Sequence, residues 1–157
     1  MESKTVKETA VTTAQMMTPQ DVNVAGNVHG GVIMKLIDTA TAVVAFRHAR
    51  GNAVTASIDR LDFHSPVYPR DLVTCKASLN LVGKTSMEIG VRVETENLLT
   101  GEVRHTASAY LTFVALDKTG RPMILPKLAL ETEEEKRRYH EAQARRAARL
   151  RERQSGR

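Results

Sequence analysis

Asn27, His29, Gly30, Gly31 and Asp38 are the residues of this chain whose types and spacing could do chemistry. They share the run Asn23-Val-Ala-Gly-Asn-Val-His-Gly-Gly-Val-Ile-Met-Lys-Leu-Ile-Asp38, a polar, Gly-rich turn that feeds straight into an apolar segment. Two adjacent glycines let a ligand approach the backbone closely. The N–H groups from His29 to Val32 would stand at a helix start, with the helix dipole behind them. Donors so placed hold a developing oxyanion, each worth roughly a few kcal/mol. Asn27 could orient a water or a carbonyl. Asp38 lies two turns beyond Gly31 on the oily side of the helix, where an idle carboxylate is costly; used, it is a base or a nucleophile. The chemistry indicated is a carbonyl polarised and then attacked. Plainer readings stand beside it. Asp38 could be held by Thr41, Lys35 or a partner chain, the glycines could serve helix–sheet packing, and His29 could make only local hydrogen bonds. No second His or Cys at ligand spacing accompanies His29, so no metal is expected.

The elements that must position these groups follow from periodicity. Residues 5–17, rich in Thr and Val, suggest a strand that ends before Pro19. A spacing of three or four through Val32, Leu36, Thr39, Val43 and Phe46 predicts a helix over 30–49. Ile33, Ile37, Ala40 and Val44 make its other side apolar too, so it is expected to be wrapped all round and closed at Gly51. From Asn52 to about Leu116, alternation with a period of two predicts four strands: Val54–Phe63, with a phase change near Arg60 that suggests a bulge, then Val73–Leu81, Met87–Val93 and Ala107–Ala115. Pro66 and Pro69, Gly83-Lys84, Thr100-Gly101 and Asp117–Gly120 separate them. Short links between consecutive strands imply an antiparallel meander, and one apolar helix against it is an α+β layer.

The chain's 157 residues suit one domain, expected over 1–130, with a charged helical tail over 131–157. The tail's acids come first and its bases later, as a helix dipole prefers. Its few large apolar residues imply light packing, with residues 154–157 disordered. The net charge is +5, but nine basic and six acidic residues lie in the tail against 14 and 12 elsewhere. That distribution argues against a nucleic-acid surface. The single Cys75 excludes an intrachain disulfide and reads as a small core residue. No apolar run approaches a membrane span and no signal-peptide core opens the chain, so a cytoplasmic setting is expected.

The glycine run and Asp38, together with Val54-Thr-Ala-Ser-Ile-Asp-Arg-Leu-Asp-Phe-His64, Lys84-Thr-Ser-Met-Glu-Ile89, Glu96-Asn-Leu-Leu-Thr-Gly101 and Glu131-Thr-Glu-Glu-Glu-Lys136, closely resemble the hotdog-fold acyl-CoA thioesterases. The likeness is to the cytosolic acyl-CoA hydrolases of two-hotdog type and their single-domain bacterial relatives, and it covers roughly residues 12–145. It implies a hotdog fold, a long helix wrapped by a curved antiparallel sheet of about five strands. It implies hydrolysis of fatty acyl-CoA to free fatty acid and CoA with no cofactor, CoA being part of the substrate. In the two-domain relatives an Asn of one domain works with an Asp of the other. The resemblance puts these roles on Asn27 and Asp38, with His29, Gly30 and Gly31 at the carbonyl. A chain bearing both groups would complete its sites across a homodimer, within an expected hexamer built as a trimer of dimers. Lys84, Thr85 and Ser86 are implied to hold the CoA phosphates, with Arg60, His64 and the basic tail as weaker candidates. Ser57 and Asp59 are implied to line the acyl or pantetheine tunnel. The alternative is a non-catalytic acyl-CoA-binding hotdog module.

Overall fold

A computed structural model describes residues 1–156. The chain runs β1 (Lys4–Thr5), α1 (Val6–Thr9), β2 (Val11–Met16), a 3-10 turn (Pro19–Asp21), α2 (Gly30–Ala49), β3 (Asn52–Phe63), β4 (Leu72–Val82), β5 (Ser86–Glu96), β6 (Val103–Leu116), β7 (Leu128–Ala129) and α3 (Glu133–Gln154). The strand expected over residues 5–17 is interrupted. Thr5 and Glu8 form a reciprocal capping box that starts the short α1 between β1 and β2.

Five strands make one antiparallel sheet in the order β2-β4-β5-β6-β3. The expected four-strand meander is therefore only three strands long. β3 does not turn back on β4. The loop carrying Pro66 and Pro69 takes the chain across to the other side, and β3 pairs with β6 at the sheet's edge. A hairpin needs only a tight turn, and this longer loop is free to cross over. The bulge suggested near Arg60 is present. The β3–β6 register shifts between Asp59 and Asp62, and Arg60 adopts left-handed backbone at φ 51°.

α2 crosses the concave face. Ile33, Ile37, Ala40, Thr41, Val44, Ala45 and His48 are buried, one stripe at helical spacing. They pack on the alternate residues Val73, Cys75, Ala77 and Leu79 of β4, Ile89, Val91 and Val93 of β5, and Ala107, Ala109, Leu111 and Phe113 of β6. The opposite side of α2 is open, with Met34 and Phe46 exposed, because one five-stranded sheet wraps only one side of the helix. The left-handed residue that ends α2 is Arg50, at φ 49°, and not Gly51. At this end the buried His48 sets Nε2 2.7 Å from the carbonyl of Pro126, which makes Nε2 the protonated nitrogen and leaves Nδ1 buried without a partner. Burial holds this imidazole below its usual pKa.

α3 covers the convex face, and it packs closely where light packing was expected. Ala142 is fully buried. A bulge at Asn80 and Leu81 of β4 places both residues, with Glu88 of β5, beneath the helix. Arg145 grips the buried Glu88 carboxylate with Nε at 2.9 Å and Nη2 at 2.7 Å, and its guanidinium lies 3.6 Å from the Tyr110 ring centroid. Arg149 pairs with Asp59. The helix continues through Gln154, so of the tail end expected to be disordered only Arg157 lies outside the described residues.

Candidate active site

The turn before α2 is built by asparagine. Asn23 Oδ1 accepts from the amides of Ala25 at 2.9 Å and Asn27 at 3.2 Å, and the Asn23 amide donates to Asn27 O at 2.7 Å. Gly26, at φ +89°, supplies the left-handed residue this tight loop requires. Val28 N donates to Val67 O and His29 N to Asp21 O, which pins the loop to its neighbours. The His29 amide expected at the carbonyl is thereby already engaged, and the His29 side chain does not cap the helix. Val32 N turns back to His29 O at 3.0 Å. Among the described residues, the amides of Gly30 and Gly31 are left without an acceptor. These two donors at an uncapped helix start are what an oxyanion needs.

Gly30 lines a cavity of about 360 Å³, and Gly31 stands just outside it. Asn23, Asn27, Gly30 and His64 line its polar part, and Ile33, Phe63 and Val67 its apolar part. The Phe63 ring crosses the helix start so closely that a Cβ on Gly30 would lie 3.7 Å from its Cζ, whereas Gly31 is open. A larger cavity of about 510 Å³ lies on the convex face under α3. Its cations Lys76, Arg92, Arg137, Arg138 and Arg145 are taken up by Glu94, Glu141, Glu134 and Glu88.

Asp38 does not line the glycine cavity of its own chain. Eight residues separate it from Gly30, about 12 Å along the helix axis. It stands exposed on the open side of α2, where Thr55 Oγ1 of β3 donates to Oδ1 at 2.7 Å. Neither Thr41 nor Lys35 holds it; Thr41 Oγ1 donates to the backbone carbonyls of Ile37 and Asp38 instead. On that side Met34, Phe46 and Ile58 are exposed, and among the described residues the outer edge of β3 has no strand partner. The two halves of the expected chemistry thus sit apart in one chain, beside an uncovered apolar face.

The remaining expected residues divide between two places. Lys84, Thr85 and Ser86 form the β4–β5 turn. Ser57 and Asp59 do not face α2 as a tunnel lining would. They pair in register with Thr112 and Tyr110, and Tyr110 packs against Arg145 of α3, so both lie on the convex face. The bulge between Thr55 and Ser57 puts Thr55 on the α2 side and Ser57 on the other. Sequence reasoning passed over Thr55 and Asn23. Thr55 sits opposite Phe113, an inward residue of β6, but its strand's alternation is broken at the bulge. Asn23 has the turn-building chemistry of its residue type, yet it stands farther from the glycines than Asn27.

A sheet curled around one long helix, with free amides at that helix's start, defines the hotdog thioesterases. The thioesterase superfamily profile matches residues 25–102, and the chain belongs to the acyl-CoA thioester hydrolases of that superfamily. It is 40% identical over 134 residues to YkhA of Bacillus subtilis, an uncharacterized acyl-CoA thioester hydrolase, covering 85% of this chain and 78% of that protein. It is 36% identical over 146 residues to the mouse cytosolic acyl coenzyme A thioester hydrolase, covering 92% of this chain but only 38% of that longer protein. Among solved structures, a hexameric acyl-CoA thioesterase superposes with a TM-score of 0.93 at 38% identity, over 100% of both chains. The Staphylococcus aureus acyl-CoA hydrolase, solved with butyryl coenzyme A and coenzyme A, superposes at 0.85 with 32% identity, over 98% of this chain and 96% of that one. Single alanine variants of that enzyme at an Asp, an Asn and a Thr have also been solved.

Proposed function

We propose that this chain hydrolyses acyl-CoA thioesters to a free fatty acid and CoA at sites shared by two copies of itself. The observation that carries this reading is a separation: unpartnered Gly30 and Gly31 amides at the helix start, with Gly30 lining a cavity, and Asp38 on an open face about 12 Å along the same helix. Two copies of α2 laid antiparallel about a two-fold axis bring the Asp38 of one beside the glycines of the other, twice over. The exposed Met34, Phe46 and Ile58 supply the apolar surface for that contact. The hexameric relative supports three such dimers in the assembly.

The chemistry is economical. The thioester oxygen accepts from the Gly30 and Gly31 amides, which hold the charge that develops on it. Asp38 takes a proton from water, and the hydroxide formed attacks the carbonyl carbon. Alternatively Asp38 attacks directly, and water then cleaves the mixed anhydride. In both routes the C–S bond breaks as the tetrahedral centre collapses. A thiolate is stable enough to leave without a strong general acid, with thiol pKa values near about 8.5. Thr55, bonded to Oδ1, orients the carboxylate and leaves Oδ2 for the reaction.

The positioning role expected of Asn27 fits Asn23 better. In the Staphylococcus aureus enzyme the substituted Asn lies fifteen residues before the substituted Asp, and the Thr seventeen after it. Counted from Asp38, those separations fall on Asn23 and Thr55. Asn23 also has the better chemistry. Its Oδ1 is fixed by two backbone amides, so its side-chain NH2 is held ready to donate into the cavity. Lys84, Thr85 and Ser86 are assigned to the CoA nucleotide.

Thiol release from acyl-CoAs of increasing chain length tests the reading. Turnover that falls by at least about 100-fold in Asp38→Ala supports it. CoA binding without turnover by the unaltered chain would instead identify a non-catalytic acyl-CoA module.

A further inference from the structure

We propose that Arg146, carried by α3 to the β4–β5 turn, completes with Lys84 a clamp for a phosphate group of the CoA nucleotide. The inference rests on the acyl-CoA reading above and adds to it a residue from the C-terminal helix.

The turn faces an anion with everything it has left. Its carbonyls are occupied: Lys84 O accepts from Leu125 N at 2.9 Å, Thr85 O from Ala115 N at 2.9 Å, and Ser86 O from Gly83 N at 2.8 Å. Its donors are free. Among the described residues, the amides of Lys84 and Thr85 and the hydroxyls of Thr85 and Ser86 have no hydrogen-bond partner. Over this turn lies the Arg146 guanidinium. A Cβ added to Gly83 would fall 3.1 Å from its Nη1 and 3.5 Å from its Cζ. Gly83 does not adopt positive φ, so close approach, and not backbone freedom, is what the missing side chain permits here.

Arg146 also differs from its neighbours on α3. Arg137 and Arg138 pair with Glu134 and Glu141, Arg145 with Glu88, and Arg149 with Asp59. Among the described residues neither Arg146 nor Lys84 has a carboxylate partner, and both are exposed. The Arg145 and Arg149 pairs fix α3 on the sheet and so fix where Arg146 sits. Two unpaired cations, with free hydroxyls and amides between them, match the fork geometry and charge of a phosphate.

The clamp lies at the Asp38 end of the sheet, on the convex face where α3 packs, while Asp38 and Thr55 stand on the other face. Ser86 pairs with Val114, and Val114 with Val54, which puts Ser86 about 10 Å from β3 by the spacing of strands. The next residue, Thr55, holds Asp38. One chain therefore supplies both the carboxylate and the nucleotide clamp, and its partner supplies the glycine amides.

The test compares KM and kcat for acyl-CoA, acyl-dephospho-CoA and acyl-pantetheine, with CoA binding followed by calorimetry. Arg146→Ala should raise KM for acyl-CoA about tenfold, the scale of one charge-assisted phosphate contact, with the effect carried by KM rather than kcat. Lys7→Ala, an exposed cation on α1, should leave that KM unchanged. If the loss disappears with acyl-dephospho-CoA, the clamp holds the 3′-phosphate; if it persists there and disappears with acyl-pantetheine, the clamp holds the diphosphate. Equal losses on acyl-pantetheine, or an unchanged KM for acyl-CoA, would overturn the proposal. Weaker CoA binding by Arg146→Ala in a chain that hydrolyses no acyl-CoA would sink the hydrolase reading and leave the clamp standing.

Discussion

At the scale of single residues, the account turns on which polar groups are already committed. His29 has spent its amide on Asp21, while Gly30 and Gly31 keep theirs. Asp38 has one oxygen tied to Thr55 and the other free. Losing the carboxylate in Asp38→Ala removes the base or nucleophile altogether. Thr55→Val leaves it present but unoriented, and should cost about tenfold in kcat with KM little altered. Asn23→Ala removes both the loop's two amide contacts and its donor to the cavity, so its loss in kcat should exceed that of Asn27→Ala by about tenfold or more. Equal losses would return the role to Asn27. Cys75 makes thiol release a clean assay. It is buried in the core, and that burial pushes its thiol pKa up, so the native chain should react with a thiol reagent far more slowly than the unfolded chain.

At the scale of elements, α3 is fastened to the sheet by polar anchors. The Glu88 carboxylate is 1% exposed and depends on Arg145, with Asn80 at 3.0 Å as a further donor. Arg145→Ala leaves a buried charge short of partners and should lower stability by about 3 kcal/mol, read from the urea midpoint. Glu88→Gln in that background should recover part of the loss. The far end of α2 carries a pH dependence. His48 is held below its usual pKa, so the unfolded chain binds its proton more readily than the native chain. The stability this group contributes is whole above the unfolded value near about 6.5 and is lost as pH falls through the native one. Melting temperature should therefore drop between neutral pH and pH 5, and less steeply in His48→Gln. These elements were unevenly legible. The 30–49 helix and the Met87–Val93 and Ala107–Ala115 strands stood out because one face of each is buried against α2 or the sheet. The place of β3 was not legible, since alternation identifies a strand but not its neighbour. Nor was the docking of α3, because periodicity counts apolar residues and this contact is made by Arg145, Arg149 and one small Ala142.

At the scale of the whole molecule, the proposed chemistry makes one chain half of two sites. The turn, the glycines and Asp38 could all be read from the run Asn23–Asp38, and so could the kind of chemistry they serve. The choice of Asn23 over Asn27 could not, because it depends on which side-chain oxygen folds back on the loop. The face taken by Ser57 and Asp59 was hidden for a related reason: a bulge after Thr55 changes which face of the sheet each residue takes. Sharing a site between copies links catalysis to assembly. Arginine substituted for Met34 or Ile58, at the open face, should abolish turnover while leaving a folded chain, and light scattering should find it dissociated. The most direct measurement co-expresses Asp38→Ala and Asn23→Ala chains under two affinity tags and assays the doubly purified oligomer. Random pairing makes about half of the dimers in a doubly purified hexamer mixed, and each mixed dimer has one intact site of two, so that hexamer should recover about a quarter of native activity. Activity no greater than that of the two variants alone, with mixed dimers verified by mass spectrometry, would contradict a site shared between chains.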